Sequence, residues 1–126
     1  MKNEDTLAVV ARYFQCLNAD DWEGMAQIWH EDGRLDASGA RVRDGREQVL
    51  DYLSKALAPY PAHDDAPTAV AVDGGRAEVD IHYVGTTREG REVVIDAHSV
   101  YEVDGGRIRR LTTRYDVERA RREMAS

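Results

Sequence analysis

The feature that most constrains this chain is a change of hydrophobic period partway along it. Up to residue 57 the apolar residues recur at helical spacing; from residue 68 they alternate. A chain built this way places helices first and a run of strands after them, which predicts a sheet with helices packed on one face. With 126 residues, one domain is expected. Apolar residues make up 42% of the sequence, enough for a core.

Residues 6–18 read as a first helix, with Leu7, Val10, Phe14 and Leu17 in one stripe and Tyr13 beside it. Asp20 is placed to cap a second helix, with Glu23 at the capping-box position. Trp22, Met25, Ile28 and Trp29 form its inner side, and the helix closes near Gly33. A short strand, 34–37, follows. Asp44 and Glu47 repeat the capping pattern and open a third helix, whose stripe is Val49, Leu50, Leu53, Ala56 and Leu57. Pro59 and Pro61 stop it, and the proline-rich segment 59–67 reads as a loop. Four strands are predicted at 68–72, 76–88, 92–103 and 107–115, joined by turns at 73–75, 89–90 and 104–106. Consecutive hairpins make the sheet mostly antiparallel. Residues 117–126 are charged and read as a flexible tail or short helix.

Composition removes several function classes. The formal net charge of −7 argues against nucleic acid as the main partner. The arginines at 107, 109, 110 and 114 are expected to be a solvated strand face. No apolar run is long enough to span a membrane. The single cysteine, Cys16, excludes an internal disulfide and fits a reducing compartment. With no signal-like leader at the acidic N-terminus, the expected location is cytoplasmic. No Walker loop, nucleophile elbow or Cys-x-x-Cys pair is present.

The stretches "VVARYFQCLNADDWEGMAQIWHEDGRLDASG", "RDGREQVLDYL" and "VYEVDGGRIRRLTTRYD" together resemble the ketosteroid isomerases and SnoaL-like polyketide cyclases of the nuclear transport factor two-like superfamily. The resemblance covers nearly the whole chain. It implies a single domain over 1–126 with an α+β fold: a cone-shaped α+β barrel, three N-terminal helices on a curved sheet enclosing one apolar pocket. It is uninformative about the reaction, since the fold hosts isomerases, dehydratases, cyclases, epoxide hydrolases and non-catalytic proteins. Against the steroid isomerases, Tyr13 falls on the oxyanion tyrosine. The base position falls on Ala37, with Asp36 one residue away; only a bulge would turn Asp36 inward. The protonated-Asp position falls on Ser99. With two of these three groups changed, steroid isomerisation is not expected.

Two Asp-x-His sequences, Asp80–His82 and Asp96–His98, occupy the third and fourth strands. In 92–103, Val93, Ile95, Ala97, Ser99, Tyr101 and Val103 must face the core, which leaves His98 outside. For 76–88 the hairpin register decides. A two-residue turn at Glu89-Gly90 sets His82 opposite Ala97 and Asp80 opposite Ser99, both facing the pocket. A three-residue turn at Glu89-Gly90-Arg91 sets His82 opposite His98, outside, and puts Val79, Ile81 and Tyr83 in the core. Hydrophobic economy favours the second register; the family resemblance favours the first, which is the reading preferred here. On it, Tyr13, Asp80, His82 and, given a bulge, Asp36 are the catalytic candidates. His82 would move a proton, held by Asp80, while Tyr13 polarised an oxygen. Trp29, Tyr52, Ile95, Ser99, Leu111, Thr113 and Tyr115 are the candidate substrate contacts, with Trp22 a further one.

The remaining singular residues have plainer readings. His63 falls near a catalytic histidine of scytalone dehydratase-like relatives, but a surface loop is the expected setting. His30 is expected to be exposed and Cys16 structural. No cofactor and no metal are expected. The resulting function is acid/base isomerisation, dehydration or cyclisation of a small apolar oxygen-bearing molecule such as a polyketide or terpenoid. The alternatives are a non-catalytic binder and a dimeric assembly module. A homodimer through the outer sheet face, seeded by Val94, Val100 and Ile108, is expected in any case.

Overall fold

In a computed structural model, which describes residues 2–125, the chain runs α1 (Lys2–Asn18), α2 (Trp22–Ile28), β1 (Trp29–Ala37), β2 (Arg43–Asp44), α3 (Arg46–Leu57), β3 (Ala62–Asp73), β4 (Arg76–Thr86), β5 (Glu92–Asp104), β6 (Arg107–Tyr115) and α4 (Val117–Ala125). The strands form one six-stranded mixed sheet in the order β2-β1-β6-β5-β4-β3, which does not close on itself. Among the described residues only β1 and β6 pair in parallel; every other pairing is antiparallel. Helices cover the concave face, and the core lies between: Val10, Phe14 and Leu17 of α1, Met25 and Ile28 of α2, Val49 of α3, and Val79, Tyr101, Ile108 and Leu111 of the sheet. Burying such side chains contributes roughly 1.5–3 kcal/mol each, which makes the one-sided sheet stable.

The α+β order expected from the sequence is present, with local corrections. Asp21, not Asp20, caps α2, its carboxylate accepting from the Gly24 N–H at 2.9 Å. Asp20 instead ends α1 with φ of 52°. Its N–H donates to the Leu17 carbonyl at 3.3 Å and the Asp21 N–H to that of Cys16 at 2.9 Å, the paired reverse bonds of a Schellman end. α2 stops at Ile28, and Trp29 already starts β1. α3 is capped by Gly45 without a side-chain bond, because Asp44 belongs to β2. The proline-rich 59–67 is a loop only up to Pro61. β3 begins at Ala62 and carries Pro67 at a register shift, where a missing N–H does least harm. Residues 117–125 form a helix whose Ala120 is buried, the second of the two readings, flexible tail or short helix, left open from the sequence; Ser126 lies outside the described residues.

Candidate functional site

The inner side of the sheet and α1, α3 and α4 line a cavity of about 370 Å³ that is open on one side. That lies at the small end of ligand-pocket sizes. Its wall contains all 6 tyrosines of the chain: Tyr13, Tyr52, Tyr60, Tyr83, Tyr101 and Tyr115. Phe14, Leu35, Leu53, Ile81, Ile95 and Leu111 are among the apolar groups between them. Among the described residues, Asp65 is the one charged side chain in the wall.

Three elements hold Asp65 in place. It sits on β3, opposite Tyr83 of β4, on the inward face it shares with His63 two residues earlier. Asn18, at the end of α1, grips its backbone: the Asp65 N–H donates to Asn18 Oδ1 at 2.7 Å, and Asn18 Nδ2 donates to the Asp65 carbonyl at 3.1 Å. His63 Nδ1 lies 3.0 Å from Asp65 Oδ2, and His63 Nε2 lies 2.8 Å from Asp20 Oδ1. The His63 side chain is 2% exposed, so the imidazole is enclosed between two carboxylates, one in the cavity and one at the surface. Asp65 Oδ1 has no donor among the described residues.

Burial works against the charged form of His63, but the hydrogen bonds to Asp20 and Asp65 outweigh it and raise its pKa. Burial also raises the Asp65 pKa above the ordinary carboxylate value, with the His63 hydrogen bond pulling against that rise. The surrounding phenols are firmly protonated. Burial, reinforced by the nearby Asp65 charge, pushes Tyr13 and Tyr83 well up, and burial and the neighbouring Tyr13 do the same for Tyr101. These tyrosines are therefore neutral donors at any ordinary pH. The hydroxyls of Tyr83 and Tyr101 are buried yet make no hydrogen bond of good geometry among the described residues. Beside Tyr101, Ser99 Oγ donates to Thr113 Oγ1 at 2.9 Å. Tyr13 and Tyr101 meet edge to face, ring centres 5.1 Å apart.

The hairpin between β4 and β5 has neither of the two turns weighed from the sequence. The Thr87 N–H donates to the Arg91 carbonyl at 2.9 Å, leaving residues 88–90 as the turn, with Gly90 at φ of 85°. Its parity is that of the second register. Asp80 lies opposite His98 and His82 opposite Asp96, while Val79, Ile81 and Tyr83 face inward. Asp80 and His82 thus point away from the cavity, which corrects their placement as pocket residues. His82 Nδ1 meets Asp96 Oδ1 at 2.7 Å and His98 Nδ1 meets Asp80 Oδ1 at 2.8 Å, on side chains that are roughly half exposed. Asp36 is also outside. The strand irregularity that could have turned it lies earlier, between Trp29 and Arg34; from Arg34 to Ala37 the pairing with β6 is regular. Asp36 accepts from Arg114 Nη2 at 3.2 Å, and that bond lowers its pKa.

Of the other candidates, Tyr13, Tyr52, Ile95, Ser99, Leu111, Thr113 and Tyr115 all line the cavity. Trp29 does not. It is fully buried behind Tyr13, under Gly33, where an added Cβ would meet its ring at 2.7 Å. Trp22 packs against the core and is absent from the cavity wall. Cys16 is buried, and burial raises its thiol pKa, which fits a structural role. Sequence reasoning missed Asp65; it named His63 but expected a surface loop, whereas His63 lies on β3 with its side chain buried. The available signal was the spacing His63-x-Asp65, which shares a face in a strand, but it was hidden inside a segment read as loop.

The helices packed on a curved sheet, with an apolar cavity between them, define a protein of the nuclear transport factor two-like class. The profile of the SnoaL-like domain matches residues 10–111, and the chain belongs to that family. Among solved structures it is similar to a protein assigned as a ketosteroid isomerase from Kribbella flavida (25% identity, 91% of this chain and 80% of that one, TM-score 0.77). It is also similar in fold to a protein assigned as a SnoaL-like polyketide cyclase from Jannaschia (12% identity, 99% and 94% covered, TM-score 0.88). An LEH-like epoxide hydrolase from M. tuberculosis has the same fold (15% identity, 99% and 92% covered, TM-score 0.86). No functionally curated protein matches the chain. Among the described residues, no helix is long and apolar enough to cross a membrane.

Proposed function

We propose that this protein is an acid/base enzyme that isomerises, dehydrates or cyclises a small apolar oxygen-bearing molecule, of polyketide or terpenoid type, without a cofactor. One observation carries the reading. A single carboxylate, Asp65, projects into an apolar, tyrosine-lined cavity, with one oxygen held by a buried imidazole and the other left open. Asp65 Oδ1 takes a proton from a C–H or O–H of the bound molecule. A neutral tyrosine hydroxyl donates a hydrogen bond to the oxygen on which charge develops. The protonated Asp65 then returns the proton, to another carbon in an isomerisation or to a departing hydroxyl, which leaves as water, in a dehydration. The raised Asp65 pKa brings the group nearer neutrality, where general acid/base transfer is most effective.

Asp65→Asn keeps the shape of the wall and removes the base. Turnover of the natural substrate should fall by about 10²–10⁴-fold while binding persists. Undiminished turnover in that variant rejects the proposal. A non-catalytic binder is the second reading. It is favoured by Ala37 and Ser99 standing in the wall where the steroid isomerases carry their two acids. Recovery of a tightly bound ligand unaltered after long incubation with the wild-type protein supports that reading instead.

A further inference from the structure

We infer that Asp20, outside the cavity, acts through His63 as a positioning residue, so that the acid/base group of the pocket is a clamped unit, Asp20–His63–Asp65, with one end in solvent. The inference rests on the reading of Asp65 as the proton-transferring group. The geometry is continuous: 2.8 Å from Asp20 Oδ1 to His63 Nε2 and 3.0 Å from His63 Nδ1 to Asp65 Oδ2. Both ring nitrogens face carboxylate oxygens, and only the imidazolium donates to both at once. A charged ring in that place holds Asp65 ionised and fixes its Oδ2, leaving Oδ1 to face the substrate.

The backbone supplies an independent observation. Asp20 is the sole non-glycine residue with positive φ among the described residues. It occupies the helix-end position that glycine usually fills. A side chain kept at a position that disfavours side chains points to a use for it. Here its carboxylate reaches across to β3 and closes the imidazole from the outside, while it remains 52% exposed itself. The other titratable groups around the unit are Asp64 on β3, whose charge acts on Asp65, and the protonated Tyr13, Tyr83 and Tyr101, on which Asp65 acts in turn. None of these supplies a second acceptor to His63.

The test follows the His63 ring by NMR titration of the full chain without ligand, with the signal assigned by loss in His63→Gln. Asp20→Asn keeps the side-chain shape and tolerates positive φ; Asp20→Gly relaxes the backbone and removes the side chain. The His63 midpoint should move to lower pH in both variants. In Asp20→Asn, turnover at neutral pH should fall about tenfold, with the acid limb of the pH–rate profile moved upward and Asp20→Glu restoring part of the loss. If Asp20 serves only to end α1, Asp20→Gly stabilises the fold and the His63 midpoint stays where it was; that result overturns the inference. A midpoint that moves while Asp65→Asn keeps full turnover supports the clamp and removes the catalytic reading it was joined to.

Discussion

Among the described residues the Tyr83 hydroxyl is buried without a hydrogen-bond partner, a cost of roughly 1–3 kcal/mol that an apolar ring would not incur. Tyr83→Phe should therefore leave the ligand-free protein as stable as wild type, or more stable by up to about 1 kcal/mol, in chemical denaturation. A clear loss of stability would mean that the hydroxyl serves the fold and not a ligand. Asp65, by contrast, was not legible as a site residue in advance. The prolines around it favour a loop, and a strand that carries Pro67 at its irregularity looks, residue by residue, like a break.

The helices and strands themselves were largely legible, because apolar periodicity reports which face of an element is buried. The hairpin register was not. A shift of one residue exchanges the two faces of a strand, and both turns considered were compatible with the glycine at position 90. The actual turn, 88–90, sends Asp80 and His82 outward and so moves the candidate chemistry from β4 to β3. The terminal helix α4 was legible only as a charged segment, either a flexible tail or a short helix. Met124, from its last turn, nevertheless lines the cavity, and the Arg91 guanidinium donates to the Met124 carbonyl. Removing residues 117–126 should leave the strand signal in far-ultraviolet circular dichroism intact while opening the cavity. Binding of an environment-sensitive apolar dye should rise, and an unchanged dye signal would show that α4 does not close the site.

For the molecule as a whole, pH acts through the histidines. His63 and His98 both have folded pKa values raised above 6.5, His63 by its two carboxylates against burial, His98 first by its bond to Asp80. Each therefore contributes stability that is fully present below about pH 6.5 and lost as pH rises through the higher folded value. The melting temperature should be higher near pH 6 than near pH 9. His63→Gln should flatten that dependence more than His98→Gln, because His98 is half exposed and its pairs are screened by solvent. Equal slopes in the two variants would count against an enclosed, charged His63.

The order of residue types along this chain was enough to settle that helices precede a hairpin sheet and that one face of the sheet is covered. Those properties depend on the local period of apolar side chains, which each segment carries within itself. Tertiary structure alone decided which carboxylate reaches the cavity. That outcome depends on how β4 is registered against β5, on β3 starting five residues before Pro67, and on the end of α1 coming to rest beside His63. Each of these is a long-range pairing, set by the packing of the whole cone and by no single segment of it.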